Sequence, residues 1–411
     1  MAVKERGPAS ARSLAHALSE GRLPVDGVLP PELGGCFLQA VPHPAASLPP
    51  GGRQAAAGPC TFAGVRVEDG GARWFRGVLR AETLGPVPAI APSVWLAGPG
   101  GPAMTVARPV REAGSPLWHT VACHPGLGYA EHVVVDPGGE ILRATPFALD
   151  GAPLMHAMAL TRRFVVVLDL PVCYDDAAAL VGARFPYSWR ARRPARIGLL
   201  LRRRRTAEPR WFAVDPCYVF HAANAYDEGD RVVLDATAYT RAFDAHGPAG
   251  PPCLRRWTLD LRSGAVRTRP LVPVPAPGLP PEAAIVDDRV YGRRHRYLFG
   301  ATGAALSRLD LRTGTLRSWE FPAGLVPGRP VFVPRADDAT EGAGWLVLAV
   351  EDPGRHRGDL MVFDALDLAG PPRATVSLPV ALPPEGRTTW LGSARPGNDH
   401  AAWRTSFAEF F

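Results

Sequence analysis

Lysine is almost missing from this 411-residue chain: Lys4 is the only one, and the other basic residues among the 46 are arginines. Such one-sided usage follows from GC-rich coding, so the net charge of +7 is weak ground for a nucleic-acid partner. The run Arg202–Arg205 also lacks the interleaved aromatics of a single-strand-binding groove. It is expected as a solvated turn, with an anionic membrane surface as the lesser reading. No apolar run approaches the roughly 20 residues of a membrane span. The N-terminus, MAVKERGPASARSLAHALSEGRLP, has none of the apolar core of a secretory signal. The cysteines at 36, 60, 123, 173, 217 and 253 stand far apart with no C-x-x-C pair, which suggests reduced thiols and a cytoplasmic location. Short-range metal motifs, H-x-x-H and H-E-x-x-H, are also absent.

What the chain has in quantity is punctuation. Its 43 glycines and 45 prolines are spread throughout, and between them lie short β-rich runs such as FVVVLDLPV at 164–172, which predicts an all-β fold. A hairpin signature recurs in which an Asp ends one strand and a Gly turns into the next. It reads VRVEDGGARWF at 65–75, VVDPGGEIL at 134–142, TLDLRSGAV at 258–266, RLDLRTGTL at 308–316 and, more loosely, VFDALDLAG at 362–370. Asp260 and Asp310 are 50 residues apart, and Asp310 and Asp364 are 54 apart. That period is the size of a propeller blade and gives the chain room for about seven or eight. A pair of β-sandwiches is the competing architecture, disfavoured because the hairpins recur along the whole chain.

Inner strands of a propeller bring residues distant in sequence to one axis. The segment DPCYVFHAANAYDEGD at 215–230 places His221 at the end of an apolar run, just before a polar turn. Alone, it reads first as a core histidine bonded to a backbone carbonyl and only second as a metal ligand, which needs companions elsewhere in the sequence. His124 and His156 are the two others in strand or turn contexts that could face an axis. His16, His43, His246 and His356 read as surface residues and His295, inside GRRHRY, as part of a charged hairpin.

At this point the sequence resembles a known family, the carotenoid cleavage oxygenases. The segments that carry the resemblance are LPPELGGCFLQAVPHP (29–44), MHAMALTRRFVVVLDLPV, FPYSWRARRPARIGLLLR, WFAVDPCYVFHAANAYDEGDRVVLD, RRWTLDLRSGAVR, VYGRRHRY, GRPVFVPR and GDLMVFDALDLAGPPRATVSLP (358–379). The resemblance implies one seven-bladed propeller with loops and short helices capping one face, over 29–411 behind an extension at 1–28. It implies an Fe(II) ion held by four histidines with glutamates behind them, which splits a C=C bond of a carotenoid, apocarotenoid or stilbene with O₂ into two carbonyl products. Neutral imidazoles would leave the iron dicationic with positions open for O₂, and carboxylates would orient the rings. An apolar substrate, taken up with or without contact to a membrane surface, is the partner implied.

By resemblance His124, His156 and His221 fall on the first three ligand positions, and Glu282 matches one of the glutamates. The fourth histidine has no counterpart: with Trp390 as anchor in LPPEGRTTWLGS, Arg387 stands in its place. Arg329 and Arg108 stand where two further glutamates are expected. A guanidinium near a dication reverses a favourable electrostatic interaction. Two readings follow: an iron dioxygenase with three histidines, completed by His119, His400, a carboxylate or water; or a degenerate member that binds an apolar isoprenoid or aromatic ligand without iron chemistry. A protein-binding scaffold is a third.

Overall fold

The recurring Asp–Gly turns are built by the aspartates themselves. Asp260 Oδ1 accepts the backbone N–H groups of Arg262 and Ser263, both at 2.9 Å, and Asp310 Oδ1 accepts that of Arg312 at 2.9 Å. Gly264 and Gly314 follow at φ +76° and +71°, where a side chain would be strained. Each turn closes an antiparallel hairpin, Cys253–Asp260 with Val266–Pro270 and Ala305–Asp310 with Thr315–Glu320. The strands that follow three of these turns, Ile141–Ala148, Val266–Pro270 and Thr315–Glu320, are edge strands of their sheets.

The computed structural model describes residues 18–41, 60–79, 104–136, 140–181, 183, 186–204, 208–243, 253–272, 284–301, 305–384, 386 and 388–392. Among them are six sheets of three to six strands and one two-stranded ribbon, Val172–Tyr174 with Tyr187–Trp189. Among the described residues, helix is confined to Asp176–Leu180 and a 3₁₀ turn at Asp288–Val290. Taken in chain order, the sheets occupy residues 18–79, 105–148, 158–214, 218–270, 297–320 and 326–378.

From the second sheet to the sixth each packs on the next, and the sixth packs on the first. Val121 and Phe147 of the second pack on Val165 and Leu200 of the third. Ile197 and Phe212 of the third pack on Leu234 and Trp257 of the fourth. Leu254 meets Leu298 and Leu309 of the fifth, and Phe299 meets Leu346 and Phe363 of the sixth. Val347 and Leu360 of the sixth then pack against Phe37 and Trp74 of the first. Six sheets packed in one unbroken series, the second through the sixth and then the first, have the arrangement of propeller blades and not of two independent sandwich cores.

The ends of the chain seal this ring. Thr388–Gly392 pairs with Gly35–Val41, joining the first sheet from the far end of the sequence, while Val25–Gly27 pairs with Ala374–Leu378 of the sixth. Gly35 lies so close to the Leu391 carbonyl that a Cβ would collide with it. Residues 18–27, expected in an extension ahead of the propeller, are therefore strands of its first and last sheets. The inner ends of the sheets meet around the axis: Met158–Leu160 packs on Tyr218–Glu228 and on Val110–Arg111, and Val331–Pro334 packs on Thr388–Gly392.

Two surface expectations are corrected. Arg202, expected in a solvated turn, is 7% exposed: it pairs with Glu112, and its Nη1 donates to the Thr161 carbonyl at 2.7 Å. His295, expected in a charged hairpin, is buried with Nε2 3.0 Å from Asp235 Oδ2, and its Nδ1 accepts from Asn224 Nδ2 at 3.0 Å. Arg202 stands in the turn after Ala195–Leu201 and His295 just before Tyr297–Ala301, and each is turned inward onto a carboxylate. His356 is exposed as expected, while His16, His43 and His246 lie outside the described residues.

Candidate functional site

The strand that carries His221 is irregular where it matters. Its register against Arg231–Tyr239 shifts between Val219 and His221 and again between Ala222 and Asn224. A bulge re-aims the side chains beside it. Phe220 is the extra residue of the first bulge, and its carbonyl accepts a hydrogen bond from His156 Nδ1–H at 2.8 Å. That bond fixes the tautomer of His156 and leaves Nε2 as its basic nitrogen. The Phe220 ring also stands edge-on to His156, with centroids 5.2 Å apart. His221 Nε2 is buried and has no hydrogen-bond partner.

His221 lines a cavity of about 420 Å³ whose apolar wall includes Trp118, Met158, Leu160, Phe220, Ile285 and Phe332. Burial holds the His221 ring well below its ordinary proton affinity, and the charges of Arg108 and Arg329, with neighbouring His156, push the same way. The ring is therefore neutral, the form a metal binds. Arg108 is anchored beside His156, since its backbone N–H donates to the His156 carbonyl at 3.0 Å.

His124 is not brought to this place. It ends the strand Trp118–His124, is stacked on Tyr129 and has Nε2 3.0 Å from Glu131 Oε2, so a local carboxylate occupies the nitrogen expected to face a metal. Among the described residues no group of three His, Cys, Asp or Glu side chains could hold a metal ion. Arg387, Glu282 and His400 lie outside the described residues.

His119 lies five residues earlier on the same strand in a chain of its own. Its Nε2 faces Glu112 Oε2 at 3.4 Å, its Nδ1 is 2.8 Å from His132 Nε2, and Glu112 also pairs with Arg202. Burial first, then the Arg202 charge, lowers the pKa of His119 to about 4. Burial and the His119 ring lower that of His132 to about 3. Neither Glu112 nor His132 was singled out from the sequence. The signal was there in REAGSPLWH and YAEHVVV, where alternation places a charged or ring side chain on a buried face.

His156 and His221 each suit a metal: one has its orientation set by a carbonyl, the other is neutral with a buried nitrogen left unsatisfied. The described residues supply no third ligand. An all-β propeller with paired histidines and an apolar cavity at its axis is the class of protein defined so far. A family model described as retinal pigment epithelial membrane protein matches residues 80–391, and the chain belongs to that family. It is 28% identical to a carotenoid cleavage oxygenase of Mycobacterium tuberculosis over 90% of this chain and 93% of that protein. With the apocarotenoid-15,15'-oxygenase of Synechocystis it shares 27% identity over 68% of this chain and 60% of that one. Among solved structures, the lignostilbene dioxygenase of Pseudomonas brassicacearum superposes with a TM-score of 0.76 at 21% identity, covering 90% and 95% of the two chains. A cobalt-substituted Synechocystis ACO superposes with a TM-score of 0.72 at 21% identity, covering 91% and 96%. These likenesses show the propeller fold.

Proposed function

We propose that this protein is an oxygenase that cleaves a C=C bond of an apolar unsaturated or aromatic small molecule with O₂, giving two carbonyl products, in the manner named for its relatives. The observation that carries the reading is the pairing at the axis of His156, oriented by the Phe220 carbonyl, with His221, whose buried Nε2 is unsatisfied, next to an apolar cavity. His156 and His221 would hold an Fe(II) ion, which would supply activation of O₂ beside the bound alkene. His124, if it joins them, must first leave Glu131, and a further ligand would come from His400 or water. The surrounding wall of Trp118, Phe220 and Phe332 would align the substrate and keep water out. Action in the cytoplasm, with uptake of substrate from a membrane surface, fits such a ligand.

A second reading has its own observation: Arg108 and Arg329 direct positive charge at His221, which opposes a dication there. On that reading the protein keeps the fold and binds an apolar ligand without iron. The deciding experiment is iron content after Fe(II) reconstitution together with O₂ uptake on a hydroxystilbene and an apocarotenal. The oxygenase reading expects stoichiometric iron and turnover, both falling by at least about 100-fold in His221→Ala. Absence of iron and of O₂ uptake in the parent, with iron binding gained in Arg387→His, would establish the second.

A further inference from the structure

The lining of the axial cavity is apolar in area but cationic in charge. Arg108, Arg111, Arg289 and Arg293 contribute to it, against Glu112 and Asp288. Three of these groups are already committed: Arg289 is held by Asp287, Glu112 is shared by Arg202 and His119, and Arg111 Nε donates to the Ser115 carbonyl at 3.2 Å. Arg108 is different. It is half-buried, and no ion pair or side-chain hydrogen bond among the described residues engages its guanidinium. A second strand segment adds to the same field, because the charges of both Arg108 and Arg329 act on His221. These two arginines come from different sheets, one following Thr105–Val106 and the other preceding Val331–Pro334.

A guanidinium removed from water without an anion is costly, and its fork of donors matches a carboxylate in two parallel hydrogen bonds. We propose that the axial cavity takes an unsaturated carboxylic acid, with its carboxylate on Arg108 and its conjugated body along the wall of Trp118, Phe220 and Phe332. A monoanion suits the place better than a phosphate, since most of the wall is apolar and offers few further donors. As a statement about substrate class, the inference rests on the oxygenase reading of the cavity. As a statement about binding, it stands without metal or turnover.

The test uses the full chain stripped of metal by a chelator and titrated, by fluorescence, with stilbene-4-carboxylate and its neutral isostere stilbene-4-carboxamide. The acid should bind at least about tenfold more tightly, the gain of a hydrogen-bonded ion pair. That preference should shrink as salt is raised. Arg108→Gln should remove it, and Arg108→Lys should keep part of it, with unchanged thermal unfolding in both. Equal binding of acid and amide, or a preference that survives in Arg108→Gln, overturns the proposal. O₂ uptake by the Fe(II)-loaded protein on neutral 4-hydroxystilbene separates the two claims. Turnover without acid preference removes the carboxylate site and leaves the oxygenase. Acid preference without turnover on either compound removes the oxygenase and leaves the carboxylate site.

Discussion

Asn224 shows how much a single side chain can hold together in this molecule. Its Nδ2 has two N–H protons among three acceptors, the carbonyls of Val290 and Arg293 at 3.3 and 2.9 Å and His295 Nδ1 at 3.0 Å, while its Oδ1 accepts from Gly292 N–H at 3.0 Å. One amide three residues after His221 thus fastens the loop between the fourth and fifth sheets. It also seats the ring of His295 against Asp235, which Arg256 grips through two hydrogen bonds at 2.7 and 2.6 Å. Asn224→Ala should cost about 2–4 kcal/mol, because it leaves several buried polar groups unsatisfied at once. Denaturant unfolding measures it, and a loss under 1 kcal/mol would mean that water replaces the amide. None of this could be read from NAYDEGD, where an asparagine before a turn is most simply a turn residue.

The hairpin of Trp118–His124 and Tyr129–Val135 carries a pH dependence of its own. Above about pH 6.5 His119 and His132 are neutral both in the fold and in the unfolded chain, so their share of stability is fully present. Below it the unfolded chain takes up protons that the fold refuses until the pH approaches 4 for His119 and 3 for His132. Stability should therefore fall with acid through this window, by up to about 1.4 kcal/mol per pH unit for each ring. Unfolding midpoints at pH 7.5, 6 and 5 check the slope. The double variant His119→Gln/His132→Gln should flatten it, and an unchanged slope would assign the acid sensitivity elsewhere. At this scale the sequence was most legible in the turns, where Asp and Gly act on their own backbone. It was least legible in this hairpin: pointing His124 at the axis required knowing which way a strand faces, and the pairing His124–Glu131 is set by the partner strand.

Across the whole molecule, the all-β ring was legible because blade period, outer turns and apolar runs are local signals that repeat. The site was legible only in part. His156 and His221 were singled out through strand context and resemblance, but the bulges beside His221 leave no pattern in the sequence. A closed propeller was anticipated, but not the strands that seal it, since they pair residues at opposite ends of the chain. Removing residues 385–411 should therefore open the first sheet and expose the Gly35–Val41 edge, with loss of cooperative unfolding and onset of aggregation. Light scattering and unfolding curves would show this, and a peptide of residues 385–411 supplied in trans should restore the monomer. A truncated protein that unfolds as cooperatively as the parent would mean that the seam contributes little.

The same seam sets a condition on how the protein is made. The inner neighbour of Gly35–Val41 comes from Thr388–Gly392, so nearly the whole chain must leave the ribosome before the first sheet is complete. At about 5–20 residues per second, that early strand waits for tens of seconds with a row of unpaired N–H and C=O groups. The vulnerable species is then the nascent chain, not the finished ring. Chaperone supply during translation, more than the equilibrium stability of the native state, would govern how much of this protein a cell can accumulate.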